Sequence, residues 1–143
     1  MPSLGDFSRR IRRRAADIER NVNRTVRQVA LVADRELVLA TPVDTGRARS
    51  NWFVNLGVPN RSVSEPYFPG EKGSTASSNS QAAIDQAAEA ISRRQIGQDI
   101  YISNNLDYIG SLNDGSSAQA PAQFVEAAVQ RAVNVVKGAQ VVR

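Results

Sequence analysis

Apolar residues recur along the first third of the chain at steps of three and four: Phe7, Ile11, Ala15, Ile18, Val22, Val26, Val29, Ala33 and Leu37. That spacing keeps them on one face of a helix and predicts a single α-helix from about Ser3 to Ala40. Ser3 and Asp6 are both candidate caps for its start. Thr41-Pro42 ends it, because the residue before a proline is pushed out of the helical region. Some 35 residues of helix span on the order of 50 Å, longer than a small domain is wide. Part of this helix is therefore expected to protrude or to pack on a partner.

The pattern then changes period. Thr41 to Arg49 is turn-rich, and Ser50 to Gly57 alternates loosely around Trp52, Phe53 and Val54, which predicts a strand. Val58 to Ser80 is dense in Pro, Gly, Ser and Asn, with Tyr67-Phe68 embedded in it. A loop of this length inside one domain is expected to be functional or disordered. Ala82, Ala83, Ala87, Ala90 and Ile91 predict a second helix from about Ser77 to Gln95, stopped by Gly97. Asp99 to Asn104 reads as a strand with Ile100 and Ile102 on one side and Tyr101 on the other. Leu106 to Ser117 is turn-bearing and contains Asn113-Asp114-Gly115. A last helix is expected to start near Pro121, run through Phe124, Val125, Ala128, Val129, Ala132 and Val136, and stop at Gly138. The order helix, strand, helix, strand, helix predicts one α+β domain over 1–143. It comprises a long basic N-terminal helix over 1–40, an extended docking loop over 58–80, and a small antiparallel sheet on which the middle and C-terminal helices pack.

Composition sharpens this picture. The chain has 143 residues, 41% of them apolar but only 6% aromatic. A core built largely from Ala and Val is thin, and suits a domain that completes its burial against neighbouring subunits. There is no cysteine, so disulfides and thiolate metal sites are excluded, and no histidine, the commonest general base and metal ligand. The acidic residues show no metal-ligand spacing, Gly110-Ser111-Leu112 and Gly115-Ser116-Ser117 are not nucleophile elbows, and no phosphate-binding glycine loop is present. A non-enzymatic protein without cofactor or metal is expected. No stretch approaches the roughly 20 apolar residues that span a bilayer, and the N-terminus lacks the apolar segment of a signal peptide. A soluble protein with no membrane partner and no export by the usual route is expected.

The net charge of +4 is unevenly placed. Residues 1–50 hold 11 Arg against 6 Asp or Glu, and the remainder holds 7 basic against 8 acidic residues. Arg9, Arg13, Arg20, Arg24 and Arg27 share one broad flank of the first helix. Three readings of that flank stand: a solvated face, contact with the phosphates of DNA crossing a channel, or pairing with an acidic partner, for which the planar guanidinium is suited. Interleaved aromatics and the motifs of sequence-specific readers are missing, so specific base recognition is not expected.

In the connector, Pro42 stops the helix, Asp44 and Thr45 are placed to bond the local backbone, Gly46 permits positive φ, and Asp44 and Arg47 are close enough to pair across the turn. A well-made corner accounts for all of this. The segment Thr41 to Trp52, TPVDTGRARSNW, also resembles the helix-exit motif of phage tail-completion, neck and minor-tail proteins, the minor-tail-protein-Z-like joining proteins of long-tailed phages. The matching positions are Pro42, Val43, Asp44, Thr45, Gly46, Arg47 and Trp52. A second segment, Ile100 to Ala132, is similar to that family's strand, Tyr-containing turn, linker and C-terminal helix, through Asn104, Tyr108, Leu112, Gly115, Ser116, Gln119, Ala120 and Pro121. Where a Leu is common just after the motif's Arg, Ala48 and Arg49 stand here, and Val58 to Gln98 shows only compatible length and composition.

The resemblance implies a virion protein made in the host bacterial cytoplasm. It implies a ring of copies around the DNA channel, six favoured to match the tail tube and twelve possible to match the portal, between the head connector or adaptor and the tail tube or tail-terminator proteins. Tyr67, Phe68, Pro42, Asp44 and Arg47 are the expected interface residues. Arg9, Arg13, Arg20, Arg24 and Arg27 are the expected contacts to DNA or an acidic partner. The alternative is a non-specific nucleic-acid-binding protein using the arginine-rich helix.

Overall fold

The structure, a computed structural model, describes residues 3–138. It is α+β: α1 (Leu4–Ala40), α2 (Arg47–Ser50), β1 (Phe53–Leu56), α3 (Ala76–Ser92), β2 (Ile100–Ser103), α4 (Ile109–Asn113) and α5 (Phe124–Gly138). The strands form a two-stranded antiparallel sheet in which Phe53 faces Ser103 and Leu56 faces Ile100.

α1 is one uninterrupted helix. Ser3 caps it and Asp6 completes a capping box: Ser3 Oγ accepts from the Asp6 N–H, and Asp6 Oδ2 accepts from the Ser3 N–H, both at 3.1 Å. At the other end Thr41 is extended, with ψ 130°, as a residue before proline must be. The C-terminal half of α1 buries Ala30, Ala33, Asp34, Leu37 and Val38 against α3 and α5. One core cluster joins Leu37, Val38, Trp52, Ala83 and Ala128; a second joins Ala30, Val54, Ala87 and Ile91. Alanines at the helix contacts leave room for close approach, so the core is thin, as the composition implies. The N-terminal half of α1 touches none of it, and Phe7, Ile11, Ile18 and Val22 are exposed.

Among the described residues β1 has no third strand on its outer side. The Gln86 amide takes that place: Oε1 accepts from the Val54 N–H at 3.1 Å, and Nε2 donates to the Val54 carbonyl at 3.0 Å. One α3 side chain thus satisfies the backbone that would otherwise be an open edge.

Several boundaries differ from expectation. Ser50 belongs to the helical turn α2, so β1 begins only at Phe53. The loop is shorter than 58–80, because α3 takes over at Ala76. α3 in turn ends at Ser92, and Gly97, at φ +90°, sits in the following turn instead of at the helix end. The stretch after β2 contains α4. Pro121 does not open α5, which starts at Phe124 because Gln123 is left-handed at φ +62°. Asn113 of α4 supplies the cap instead: its carbonyl accepts from the Gln123 N–H at 2.6 Å and its Oδ1 from the Val125 N–H at 2.9 Å. Gly138 is the last described residue of α5, and the chain after it lies outside the described residues.

Candidate interaction site

The corner after α1 and the linker before α5 pack against each other. Gln119 makes a two-point amide pair with Val43: the Val43 N–H donates to Oε1 at 2.8 Å, and Nε2 donates to the Val43 carbonyl at 2.9 Å. Asn104 Nδ2 donates to the Ala48 carbonyl at 2.9 Å. Between the two segments lies an open pocket of about 300 Å³ whose lining includes Pro42, Asp44, Arg47, Tyr108 and Leu112. Burial raises the Tyr108 phenol above its ordinary pKa, and the nearby Arg47 charge opposes that rise.

Asp44 does not pair with Arg47. Its Oδ1 accepts from the Lys72 N–H at 2.9 Å, and its carbonyl accepts from the Gly73 N–H at 2.8 Å, so it ties the corner to the far end of the loop. Arg47 makes no ion pair among the described residues, and its buried Nε has no hydrogen-bond partner. The corner itself is closed by Arg49. Its guanidinium donates to the Thr41 and Leu39 carbonyls at 2.9 and 3.0 Å and to Ser80 Oγ at 2.9 Å. A cation on the last carbonyls of α1 complements both the unpaired oxygens and the helix dipole. The Ala48-Arg49 departure from the resembling motif therefore has a structural role here, with Ala48 buried and Arg49 capping.

Comparison of the chain with protein-family models, with curated proteins and with solved structures finds no match in any of the three.

The loop carrying Tyr67 and Phe68 is pinned from below by three fully buried polar residues, Ser50, Asn51 and Asn79. Asn79 Oδ1 accepts from Ser50 Oγ and from the Phe68 N–H, each at 2.8 Å, and Nδ2 donates to the Phe68 carbonyl at 2.8 Å. Ser50 Oγ accepts from the Tyr67 N–H at 3.2 Å. Asn51 pairs with the backbone of Ser64 in both directions at 2.8 Å. The backbone is fixed while both rings remain partly in solvent, Tyr67 at 39% and Phe68 at 50% exposure. Gly46 lies directly over Asn79: a Cβ there would collide with the Asn79 amide, and φ is +87°.

Asp34 lies at the α1 end of this region. It is 1% exposed, and among the described residues neither carboxylate oxygen has a hydrogen-bond partner. Burial raises its pKa from 3.8 to about 7. The Tyr67 phenol is pushed up by its own burial and further by the Asp34 charge, which places the two side chains within electrostatic reach.

The expected arginine flank is present on α1 but is not uniform. Arg9 pairs with Asp6 and Arg20 with Asp17, both as exposed ion pairs of little energetic weight. Arg13 and Arg24 are exposed and make no ion pair among the described residues. Arg27 is only half exposed, and its Nη2 donates to the Arg94 carbonyl. This bond ties α1 to the turn after α3. Among the described residues no helix is long and apolar enough to cross a membrane.

Proposed function

We propose that this protein is a virion structural subunit that joins or completes a phage tail, acting as one member of a ring around the DNA channel and working without catalysis. The observation that supports this best is the Gln119–Val43 amide pair. It locks together, across 76 positions of sequence, the two segments that separately resemble tail-completion and neck proteins. Around that lock the corner offers a shallow pocket and the pinned loop offers two half-exposed aromatic rings. Aromatics held on a rigid backbone lose little entropy on docking and commonly anchor interfaces. In this reading Tyr67 and Phe68 dock a neighbouring subunit or the adjoining tail ring. The pocket bearing Pro42, Asp44 and Arg47 belongs to the same contact.

Deleting Glu65 to Gly73 is expected to abolish infectious particles when the variant replaces the natural protein. Normal particle yields would remove the loop from the contact. Charge reversal at Arg13, Arg20 and Arg24 is expected to reduce DNA retention in assembled particles, since these exposed cations would meet phosphate across the channel. Unchanged retention assigns the flank to solvent.

The second reading, a free nucleic-acid-binding protein, is favoured by the exposed arginines along one side of α1. It requires micromolar affinity for arbitrary duplex that falls steeply with salt. Titration of labelled duplex at two salt concentrations separates the readings: binding that is absent or insensitive to salt leaves the structural role.

A further inference from the structure

Among the described residues, the apolar stripe on the free half of α1 has no partner within the subunit. Leu4 is 87% exposed, Phe7 55%, Ile11 52%, Ile18 61% and Val22 48%, an array that water would not leave open on a lone helix without cost. Its period is more regular than amphipathicity alone requires. The steps Leu4, Phe7, Ile11, then Ala15, Ile18, Val22, then Val26, Val29, Ala33 repeat three-four-four, an 11-residue spacing. Such a spacing, close to the natural pitch of the helix, makes a nearly straight seam. From Leu4 to Val22 the seam is roughly 27 Å long.

We propose that this seam is covered by the same seam of a second copy, the two helices running antiparallel about a two-fold axis near Ala15. Two features of the sequence fit this occupant. The apolar layers are complementary: Ile11 meets the second copy's Ile18, Phe7 meets its Val22, Leu4 meets its Val26, and the small Ala15 meets itself where the helices come closest. The flanks match in charge as well. In an antiparallel pair like flanks face each other, so Arg14 comes opposite Asp17 on one side of the seam and Arg12 opposite Glu19 on the other. The groove beside Val26 and Val29, walled by Ile100 and Ile102, is open to receive the second copy's Leu4.

Arg9, Arg13, Arg20 and Arg24 lie on the side of α1 roughly opposite the seam. In a helix pair they point outward, about two helix diameters from their counterparts, where salt screens their repulsion. The pairing is a property of the free protein and stands whether or not the tail reading holds.

The full-length protein tests it. Sedimentation equilibrium is expected to give about twice the 15.5 kDa chain mass at micromolar concentration. Ile18→Asp is expected to weaken the dimer by roughly a hundredfold or more, with the helical circular dichroism unchanged. Arg14→Asp weakens it, and Arg14→Asp with Asp17→Arg restores it. Because the chain has no cysteine, single reporters are clean. Under oxidation Ala15→Cys is expected to crosslink, and Leu4→Cys is not, its two copies lying roughly 33 Å apart. Crosslinking at Leu4 would mean a parallel pair, and a monomer or a hexamer in solution would equally overturn the proposal. So would a monomer that pellets with anionic vesicles, which would assign the seam to the lipid surface.

Discussion

Replacing Asn79 with Ala lowers the stability of the folded protein by about 3 kcal/mol. The Asn79 amide is fully buried and bonded to Ser50 Oγ, to the Phe68 N–H and to the Phe68 carbonyl. Truncation strands these partners, and each buried unpaired group costs about 1–3 kcal/mol, partly recovered as water enters. For a chain of this size the thermal midpoint falls by roughly 10 °C. Gly46→Ala has an effect of the same kind, because the added Cβ strikes that amide and the residue must hold φ +87°. Thermal unfolding followed by circular dichroism checks both. The loop is affected before the core: protease cleavage between Ser64 and Gly73 increases in Asn79→Ala at temperatures where α1 remains folded. Equal cleavage in the two proteins would show that the buried amides do not hold Tyr67 and Phe68 in place.

Asp34 gives the largest pH effect. Its folded pKa is about 7 against 3.8 for the free side chain, because burial penalises the charged form. Between those values the folded state binds the proton and the unfolded state does not. Stability is therefore full below about pH 4, falls as pH rises toward 7, and levels off above it. At 1.36 kcal/mol per pKa unit the total loss is about 4 kcal/mol. Asp34→Asn removes the charge and keeps the shape. It is expected to raise stability at pH 8 by about 2 kcal/mol, the unbonded amide retaining part of the polar cost, and to give no gain at pH 4. Urea unfolding at the two pH values measures this. An equal effect of the substitution at both would show that the carboxylate is already solvated in the folded protein. The sequence thus keeps a costly buried carboxyl whose charge is felt by the Tyr67 phenol.

The large features of this fold were legible because each is carried by a repeating pattern or a strong local signal. α1 was readable from its three-four spacing, its start from Ser3 and Asp6, and its end from Thr41-Pro42. β2 was readable from Ile100 and Ile102. What was not legible depends on contacts between distant segments. α2 and α4 are single turns with no periodicity to detect, and α5 begins where Asn113, on another helix, can cap it. The loop after β1 has the composition of a disordered segment, yet side chains from Ser50, Asn51 and Asn79 hold its backbone. Asn79 did leave a trace, since Asn79, Ala83, Ala87 and Ile91 fall at four-residue steps and all are buried. Asp34 left a similar one between Ala30 and Val38. A polar residue on a line of buried apolar ones marks a network or a strained charge. The Asp44–Arg47 pair, by contrast, looked natural from their separation and lost to the Lys72 N–H, a donor contributed by the loop.

Electron microscopy of lysates from a phage unable to make this protein tests the proposed role most directly. Full heads lying beside separate, completed tails are expected, or tails of abnormal length if the subunit acts at termination. Normal joined particles in normal numbers would contradict it, and the arginine-bearing helix would then be explained by free nucleic-acid binding.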